Sequence, residues 1–169
     1  MRIAVKACRP IVVIEPNAER RKLALELGAH HVIDPAGSES VQDKISAVTA
    51  GSVDTALDTS GVTEVIEQVL EALALRGKLA IVTAAANDAV LPVNLGALLK
   101  RGISIRGVTQ GDSQPQQFIP QLVELIMEGR FPLQKLVRFY SLDEINSALA
   151  DQQNGVTIKP IIRLSEPRS

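Results

Sequence analysis

Hydrophobic residues along this chain fall into two kinds of pattern, which alternate from Ile11 onward. Short aliphatic runs bounded by Gly, Pro, Asp or Asn predict β-strands, at Ile11–Ile14, His31–Ile33, Thr55–Leu57, Leu79–Thr83, Ser104–Val108 and Ile161–Leu164. Between them, helical patterns predict helices at 18–27, 41–49, 63–75, 95–100, 117–128 and 142–151. This alternation is typical of βαβ units, and it predicts an α/β fold with a mostly parallel, doubly wound sheet.

Two local signals mark helix ends. Ser141 and Glu144 have the Ser-x-x-Glu spacing of a capping box, in which each side chain satisfies a backbone N–H group of the other residue. This spacing predicts the start of the last helix. Gly77, which follows Arg76, is a plausible stop for the third helix.

Length and composition indicate one domain over residues 1–169. The chain has 46% hydrophobic and 22% charged residues, which suits a sizeable core. The formal net charge is -1 and the basic residues are dispersed, so we expect no nucleic-acid partner. No apolar stretch approaches the roughly 20 residues of a membrane span, and Met1–Lys6 lacks the layout of a signal peptide. We therefore expect a cytoplasmic protein without membrane association.

Glu15 follows the first predicted strand directly. A carboxylate at the carboxyl end of a buried strand can accept both hydroxyls of an adenosine ribose, and it repels the 2′-phosphate that distinguishes NADP from NAD. NAD is therefore the predicted cofactor. A structural alternative is an acid that stabilises the N-terminus of the next helix. Arg20 and Arg21 also leave NADP open, because guanidinium groups attract a 2′-phosphate.

Residues that commonly bind metal or act as nucleophiles are few. One cysteine, Cys8, excludes a multi-cysteine zinc site within this chain, and we interpret it as a small hydrophobic residue. His30 and His31 are adjacent, so on a strand they point to opposite faces and cannot ligate one metal ion. We predict no catalytic residue and no metal ligand here.

Six segments, in order and in register, carry a resemblance that extends over nearly the whole chain. They are IVVIEPNAERRKLALELGAHHVIDP, VDTALDTSG, RGKLAIV, ISIRGVTQGDS, GRFPLQKLVRFYSLDEINSALAD and GVTIKPIIRL. Together they resemble the coenzyme domain and C-terminal end of zinc-type medium-chain alcohol dehydrogenases, most closely the bacterial aryl- or benzyl-alcohol branch. The resemblance implies a Rossmann-like fold, NAD as cofactor, and an alcohol or aldehyde as substrate.

The resemblance also implies roles for individual residues. Glu15 takes the place of the acid, more often Asp, that binds the adenosine ribose, and Arg20 that of a basic residue along the adenosine. The other implied contacts are Thr59, Ser60 and Gly61 with the adenine and ribose, Val82, Thr83, Val108, Thr109 and Gln110 with the nicotinamide carboxamide, and Lys159 with the pyrophosphate. Without the resemblance, Thr59 to Gly61 would be interpreted as an ordinary turn after Asp58. Val82 would be interpreted as a core residue and Lys159 as a surface lysine. The strand Ser104–Val108 matches the edge strand through which family members form homodimers.

Several parts of the resembled family have no counterpart in this sequence. The catalytic domain that holds the zinc is absent, and so are the first strand and its glycine-rich loop; Met1–Ala7 matches the end of the first helix. Because the first strand is central in the order 3-2-1-4-5-6, we expect a gap between the strand that bears Glu15 and the strand that ends at Leu57. The missing loop normally offers N–H groups to the pyrophosphate. We therefore expect weak or undetectable NAD binding and no alcohol oxidation by this polypeptide alone.

Three other functions compete with this interpretation. One is a non-catalytic dimeric module that binds a nucleotide or a partner subunit. Another is the zinc-free quinone-reductase branch, which uses NADPH and which generally places small or basic residues where this chain has Glu15. The third is a methyltransferase, whose usual C-terminal hairpin strand does not fit the segment from Gly129 to Asp151.

Overall fold

The structure is a computed structural model that describes residues 10–83, 86 and 88–164. These residues divide into two compact units, 10–115 and 116–164, and each unit is described by itself. The interpretation of the chain as one domain stays a prediction. The helix end predicted for Met1–Ala7 lies outside the described residues. None of the described helices combines the length and the apolar character that crossing a membrane requires.

The larger unit alternates strands and helices as the hydrophobic pattern predicts. Its strands are β1 (Val12–Ile14), β2 (His31–Ile33), β3 (Val53–Asp58), β4 (Leu73–Ile81) and β5 (Ser104–Gly107), and its helices are α1 (Ala18–Glu26), α2 (Val41–Val48), α3 (Thr63–Glu71) and α4 (Leu95–Arg101). All pairings between these strands are parallel: β1 pairs with β2, and β4 lies between β3 and β5. The predicted parallel α/β architecture is confirmed.

The sheet is interrupted between β1 and β3. In the part of the chain that the structure describes, β1 is hydrogen-bonded to β2 alone and β3 to β4 alone. Side chains from both strands still share a core, since Val12, Ile14 and Val53 pack on the buried cluster of Ile33, Val41, Ile45 and Ala72. Side-chain packing therefore joins the two sheets where the sequence predicts a missing strand.

The turn from α3 into β4 is sharper than predicted. The helix ends at Glu71 instead of Leu75. Leu73 pairs with Val53 whereas Lys78 pairs with Thr55, so the backbone between Leu73 and Lys78 bulges out of the ladder. The guanidinium group of Arg101 secures this turn, because its Nη2 donates to the carbonyl oxygens of Leu73 and, at 3.0 Å, Glu71.

The smaller unit contains α5 (Pro115–Met127), which starts at the unit boundary, then β6 (Val137–Ser141), α6 (Ile145–Gln153) and β7 (Lys159–Arg163). Strand β6 pairs in parallel with β7 and is an element that the sequence pattern did not predict. Tyr140 of β6 is buried, and its hydroxyl donates to Asp151 Oδ2 of α6 at 2.8 Å. Burial and this hydrogen bond raise the pKa of Tyr140.

The predicted capping box at Ser141 is confirmed. Glu144 Oε2 accepts hydrogen bonds from the backbone N–H of Ser141 at 2.8 Å and from its hydroxyl at 2.9 Å. The box opens a 3₁₀ turn, Leu142–Glu144, that leads directly into α6. The backbone and side-chain hydrogen bonds from Ser141 lower the pKa of Glu144 below its ordinary value of 4.5.

This lowered pKa predicts a pH dependence for the substitution Glu144→Gln. Because the folded-state pKa lies below the unfolded value, the stabilisation is fully present above about pH 4.5 and is lost as the pH falls through the folded pKa. We expect the variant to have a lower melting temperature than the wild type at pH 7, and we expect that difference to shrink as the pH falls below about 4.5. Thermal unfolding over a series of pH values from 7 downward measures it. Asp143→Asn removes the same charge one residue earlier and serves as control; an equal effect there would contradict a role for the capping box.

Candidate functional site

Glu15 lies immediately after β1, at the carboxyl end of the β1–β2 pair. Its backbone N–H donates to the carbonyl oxygen of Ile33 at 3.0 Å, which continues the strand pairing by one residue. Its Oε1 accepts the N–H of Asn17 at 2.9 Å, and Asn17 in turn caps α1 by accepting the N–H of Arg20 at 3.1 Å. Among the described residues Oε2 has no partner. One carboxylate oxygen of Glu15 thus supports the start of the helix, and the other is available to a ligand hydroxyl.

The two arginines of α1 differ in their surroundings. Arg21 Nη1 donates to the carbonyl oxygens of Glu15 at 2.7 Å and Pro16 at 2.8 Å, and its Nη2 pairs with Asp34 Oδ2 at 2.9 Å. Arg20 has a buried Nε that finds no hydrogen-bond acceptor within the described part of the chain. A buried donor without an acceptor is costly. Both terminal nitrogens of Arg21 therefore serve protein acceptors, whereas the Nε of Arg20 has no acceptor among the described residues.

The loop after β3 is a turn built by Asp58. The Asp58 carboxylate accepts from the Ser60 N–H at 3.1 Å, the Ser60 hydroxyl at 2.7 Å and the Gly61 N–H at 3.0 Å. Gly61 has φ of 71°, which glycine adopts without steric cost. The residues predicted here, Thr59 to Gly61, thus form an ordered turn at the carboxyl end of a central strand.

The ends of β4 and β5 lie at the same edge of their sheet as this turn. Val82 N–H donates to Asp58 O at 3.1 Å, and Val108 N–H donates to Ile81 O at 2.9 Å, so the three strand ends are adjacent. Val82 is 39% exposed and is not the core residue that its sequence alone would suggest. Val82 and Thr83, with Val108 and Thr109, therefore line one continuous sheet edge.

Unusual backbone geometry follows Thr109. Gln110 and Asp112 both have φ of 49° and flank Gly111 at 72°. Positive φ is uncommon for residues other than glycine, and such residues tend to cluster at functional sites. Arg106 Nη2 pairs with Asp112 Oδ2 at 2.5 Å, and Asp112 N–H donates to Thr109 O at 2.9 Å. These contacts hold the turn that contains the predicted residue Gln110.

Lys159 lies in the smaller unit, at the start of β7, where its backbone N–H donates to Leu136 O at 3.1 Å. Its side chain is exposed. The structure thus brings the predicted contacts between Thr59 and Gln110 together at the carboxyl ends of β3, β4 and β5. It places Glu15 and Arg20 at the carboxyl ends of β1 and β2. The proposed role of Lys159 stays a prediction that concerns the smaller unit alone.

Two acids of this region, Asp34 and Asp58, were not among the predicted site residues. Each directly follows an apolar run, as Glu15 does, and that shared position was the available signal. Asp34 binds Arg21 and Asp58 builds a turn, so both act on the backbone around the predicted contacts. No group of three or more His, Cys, Asp or Glu side chains in the described residues is arranged to hold a metal ion.

Comparison with known proteins gives a consistent result. The family model described as zinc-binding dehydrogenase matches residues 3–128. A geraniol dehydrogenase of Castellaniella defragrans is 40% identical over 152 residues, which are 90% of this chain and 41% of that protein. An NDMA-dependent alcohol dehydrogenase of Amycolatopsis methanolica is 33% identical over 159 residues, 90% of this chain and 42% of that protein.

Solved structures show the same similarity in three dimensions. The benzyl alcohol dehydrogenase of Acinetobacter calcoaceticus superposes with a TM-score of 0.90 at 38% identity, and the match covers 96% of this chain and 45% of that one. An alcohol dehydrogenase zinc-binding domain protein from Burkholderia ambifaria gives a TM-score of 0.88 at 43% identity, over 94% of this chain and 42% of that one. The chain therefore spans less than half the length of these proteins, and its predicted Rossmann-like fold is confirmed.

Proposed function

Since the chain belongs to the zinc-binding dehydrogenase family, we propose that it is the coenzyme-binding part of an NAD-linked alcohol dehydrogenase. The observation that supports the proposal best is the Glu15 carboxylate, which stands at the carboxyl end of β1 with one oxygen free of protein partners in the described residues. Parallel α/β sheets bind nucleotides at this end of their strands. A small alcohol or aldehyde is the proposed substrate.

We propose that the adenosine half of NAD lies at the carboxyl end of β1. Glu15 Oε2 would accept ribose hydroxyls, and Arg20 would lie along the adenosine, as the resemblance implies. The turn from Thr59 to Gly61 would lie beside the adenine and ribose, and the edge formed by Val82, Thr83, Val108, Thr109 and Gln110 would hold the nicotinamide carboxamide. NAD supplies the hydride acceptor, and the protein contributes binding and orientation.

The described residues do not fit a zinc site, because they contain no suitable cluster of metal-binding side chains. We assign no proton transfer and no hydride transfer to a side chain of this polypeptide. The ten residues that precede Ile11 in this sequence include no glycine, whereas a pyrophosphate usually binds at a glycine-rich turn. We therefore propose that the polypeptide by itself binds NAD weakly and does not oxidise alcohols.

The substitution Glu15→Gln tests the ribose site. We expect NAD or adenosine 5′-monophosphate to bind the wild type with a dissociation constant on the order of 1 mM. The variant should bind about tenfold more weakly, because a hydrogen bond to a charged acceptor contributes more than one to a neutral acceptor. Chemical-shift titration of the labelled chain measures both affinities and locates the contacts.

Glu19→Gln is the matched control, since Glu19 is a nearby acid in the first turn of α1 whose side chain is 76% exposed and pairs with Lys22. It should leave the affinity unchanged. An equal loss in both variants would indicate a general charge effect and contradict a specific role for Glu15. A micromolar dissociation constant for the wild type would refute the proposal of weak binding.

We also propose a homodimer formed through the side of β5 that faces away from β4, which pairs with no other strand among the described residues. Because Val108 N–H points to β4, the alternation of a strand places the N–H of Gly107 on the opposite edge, where a second copy could pair. We expect light scattering to report dimers that Gly107→Pro dissociates, since proline removes that donor. Gly107→Ala keeps the donor and should remain dimeric. A wild-type chain that stays monomeric as its concentration rises would exclude this interface.

A further inference from the structure

Three charged residues at the carboxyl end of the β1–β2 pair are linked in one arrangement. Arg21 joins the two strand ends, because its guanidinium group contacts the Glu15 carbonyl oxygen at 2.7 Å and Asp34 Oδ2 at 2.9 Å. The side chain of Arg21 is 20% exposed and that of Asp34 is 43% exposed. The cation therefore lies beside the residue whose carboxylate would bind the ribose, at a position that solvent reaches.

A 2′-phosphate on that ribose would compete with Asp34 for the same guanidinium group. Arginine binds phosphate in two-pronged geometry, which makes it the usual partner of the NADP phosphate. Here both terminal nitrogens already serve protein acceptors, two carbonyl oxygens on Nη1 and a carboxylate on Nη2. A phosphate that binds both terminal nitrogens of Arg21 would therefore have to displace Asp34.

We propose that Asp34 is a specificity-determining residue that restrains Arg21 and so helps to exclude 2′-phosphorylated cofactors. It is a positioning residue that acts through Arg21, and it adds to the direct repulsion from Glu15. This inference rests on the proposed adenosine site. It predicts that a chain with Glu15 intact binds a 2′-phosphorylated adenosine more tightly when Asp34 alone loses its charge.

The backbone around Asp34 is supported independently of its carboxylate. Lys44 Nζ donates to the carbonyl oxygens of Asp34 at 2.8 Å and Ala36 at 2.7 Å. Asp34 Oδ1 also accepts the Ala36 N–H at 2.9 Å, a contact that asparagine can keep. Asp34→Asn should therefore fold normally and weaken mainly the ion pair with Arg21.

The test compares the affinities of the full chain for adenosine 5′-monophosphate and adenosine 2′,5′-bisphosphate. Asp34→Asn should tighten binding of the bisphosphate about fivefold and leave binding of the monophosphate unchanged, an estimate that allows for the partial exposure of the pair. Asp34→Glu, which keeps the charge, should behave as the wild type. In an Arg21→Gln background Asp34→Asn should produce no gain, because the released guanidinium group is absent. Thermal unfolding of each variant checks that it is folded.

The outcomes separate this inference from the proposed function. Monophosphate binding in every variant, with no gain for the bisphosphate in Asp34→Asn, overturns the role of Asp34 and leaves the adenosine site standing. A gain that persists without Arg21 also overturns it, since the effect would then be the lost negative charge alone. If neither nucleotide binds the wild type, the proposed site fails and the inference fails with it. Should Arg21→Gln not fold, Glu19→Gln serves instead, since it removes a nearby exposed acid that does not pair with Arg21; an equal gain for the bisphosphate there overturns the role of Asp34.

Discussion

Replacing Leu79 with alanine is expected to lower the free energy of unfolding by about 3 kcal/mol, since buried leucine-to-alanine changes combine lost burial with a residual cavity. Leu79 lies near the carboxyl end of β4 and is 1% exposed. It stands in register between Ala56 of β3 and Ile105 of β5, and it packs with Ile66 and Leu70 of α3.

Urea unfolding measures this effect, with a lower midpoint and an unchanged slope expected. Leu75→Ala is the matched control, because Leu75 belongs to the same strand and is 75% exposed; it should change the free energy by at most about 0.5 kcal/mol. Because Leu79 precedes the edge formed by Val82 and Thr83, the Leu79 variant should also lose nucleotide affinity. Equal stabilities for the two variants would mean that this core is loosely packed.

The elements that the sequence predicts well are those in which a local pattern and tertiary packing agree. Strands β1 and β2 and helices α1 and α2 begin and end within a residue of their predicted bounds. Their caps are local as well, since Asn17 and Ser40 accept backbone N–H groups three residues ahead. The position of Glu15 at a strand end follows from the same local pattern.

Elements that depend on distant partners were missed or misplaced. Strand β6 has charged Arg138 within it, and it is stabilised by pairing with β7 some twenty residues later. The segment after Glu71 keeps a helical pattern, but Leu73 pairs with Val53 of β3 and Arg101 of α4 takes the carbonyl oxygens at the helix end. Neither contact can be read from the segment itself, because in both cases residues far along the chain provide the partner.

The candidate site divides in the same way. The sequence placed Glu15, Arg20 and the strand-end residues, because strand ends can be read from hydrophobic runs. The residue pattern left both Arg20 and Arg21 open to a 2′-phosphate, and the resemblance assigned an adenosine contact to Arg20 alone. In the structure Arg21 binds Asp34, and the Nε of Arg20 has no acceptor in the described residues. Which of two adjacent arginines meets a ligand depends on a side-chain contact between two strand ends, and a sequence pattern does not encode such a contact.

Gly77→Ala is expected to lower the free energy of unfolding by about 2 to 3 kcal/mol, as overpacking in a close-packed interior does. The sequence suggested Gly77 as a helix stop, but the structure gives it a different function. A Cβ atom on Gly77 would lie 2.8 Å from Leu73 Cβ and 2.9 Å from the backbone oxygen of Ala74. Both neighbours belong to the turn that Arg101 holds, so relief of the contact requires movement of buried Leu73 or of the backbone.

Gly107→Ala provides the control for this prediction, because a Cβ atom there meets no heavy atom within 4 Å. It should leave the stability within about 0.5 kcal/mol of the wild type. Chemical denaturation of both variants at concentrations where the chain is monomeric separates packing from association.

If Gly77→Ala were as stable as Gly107→Ala, the backbone between α3 and β4 would have to shift at little cost in free energy. The contacts of Arg101 with the carbonyl oxygens there could then contribute little, and Arg101→Met should likewise have no effect. A large loss in Gly77→Ala together with a smaller loss in Arg101→Met would instead establish that close backbone approach, secured by Arg101, determines where α3 ends.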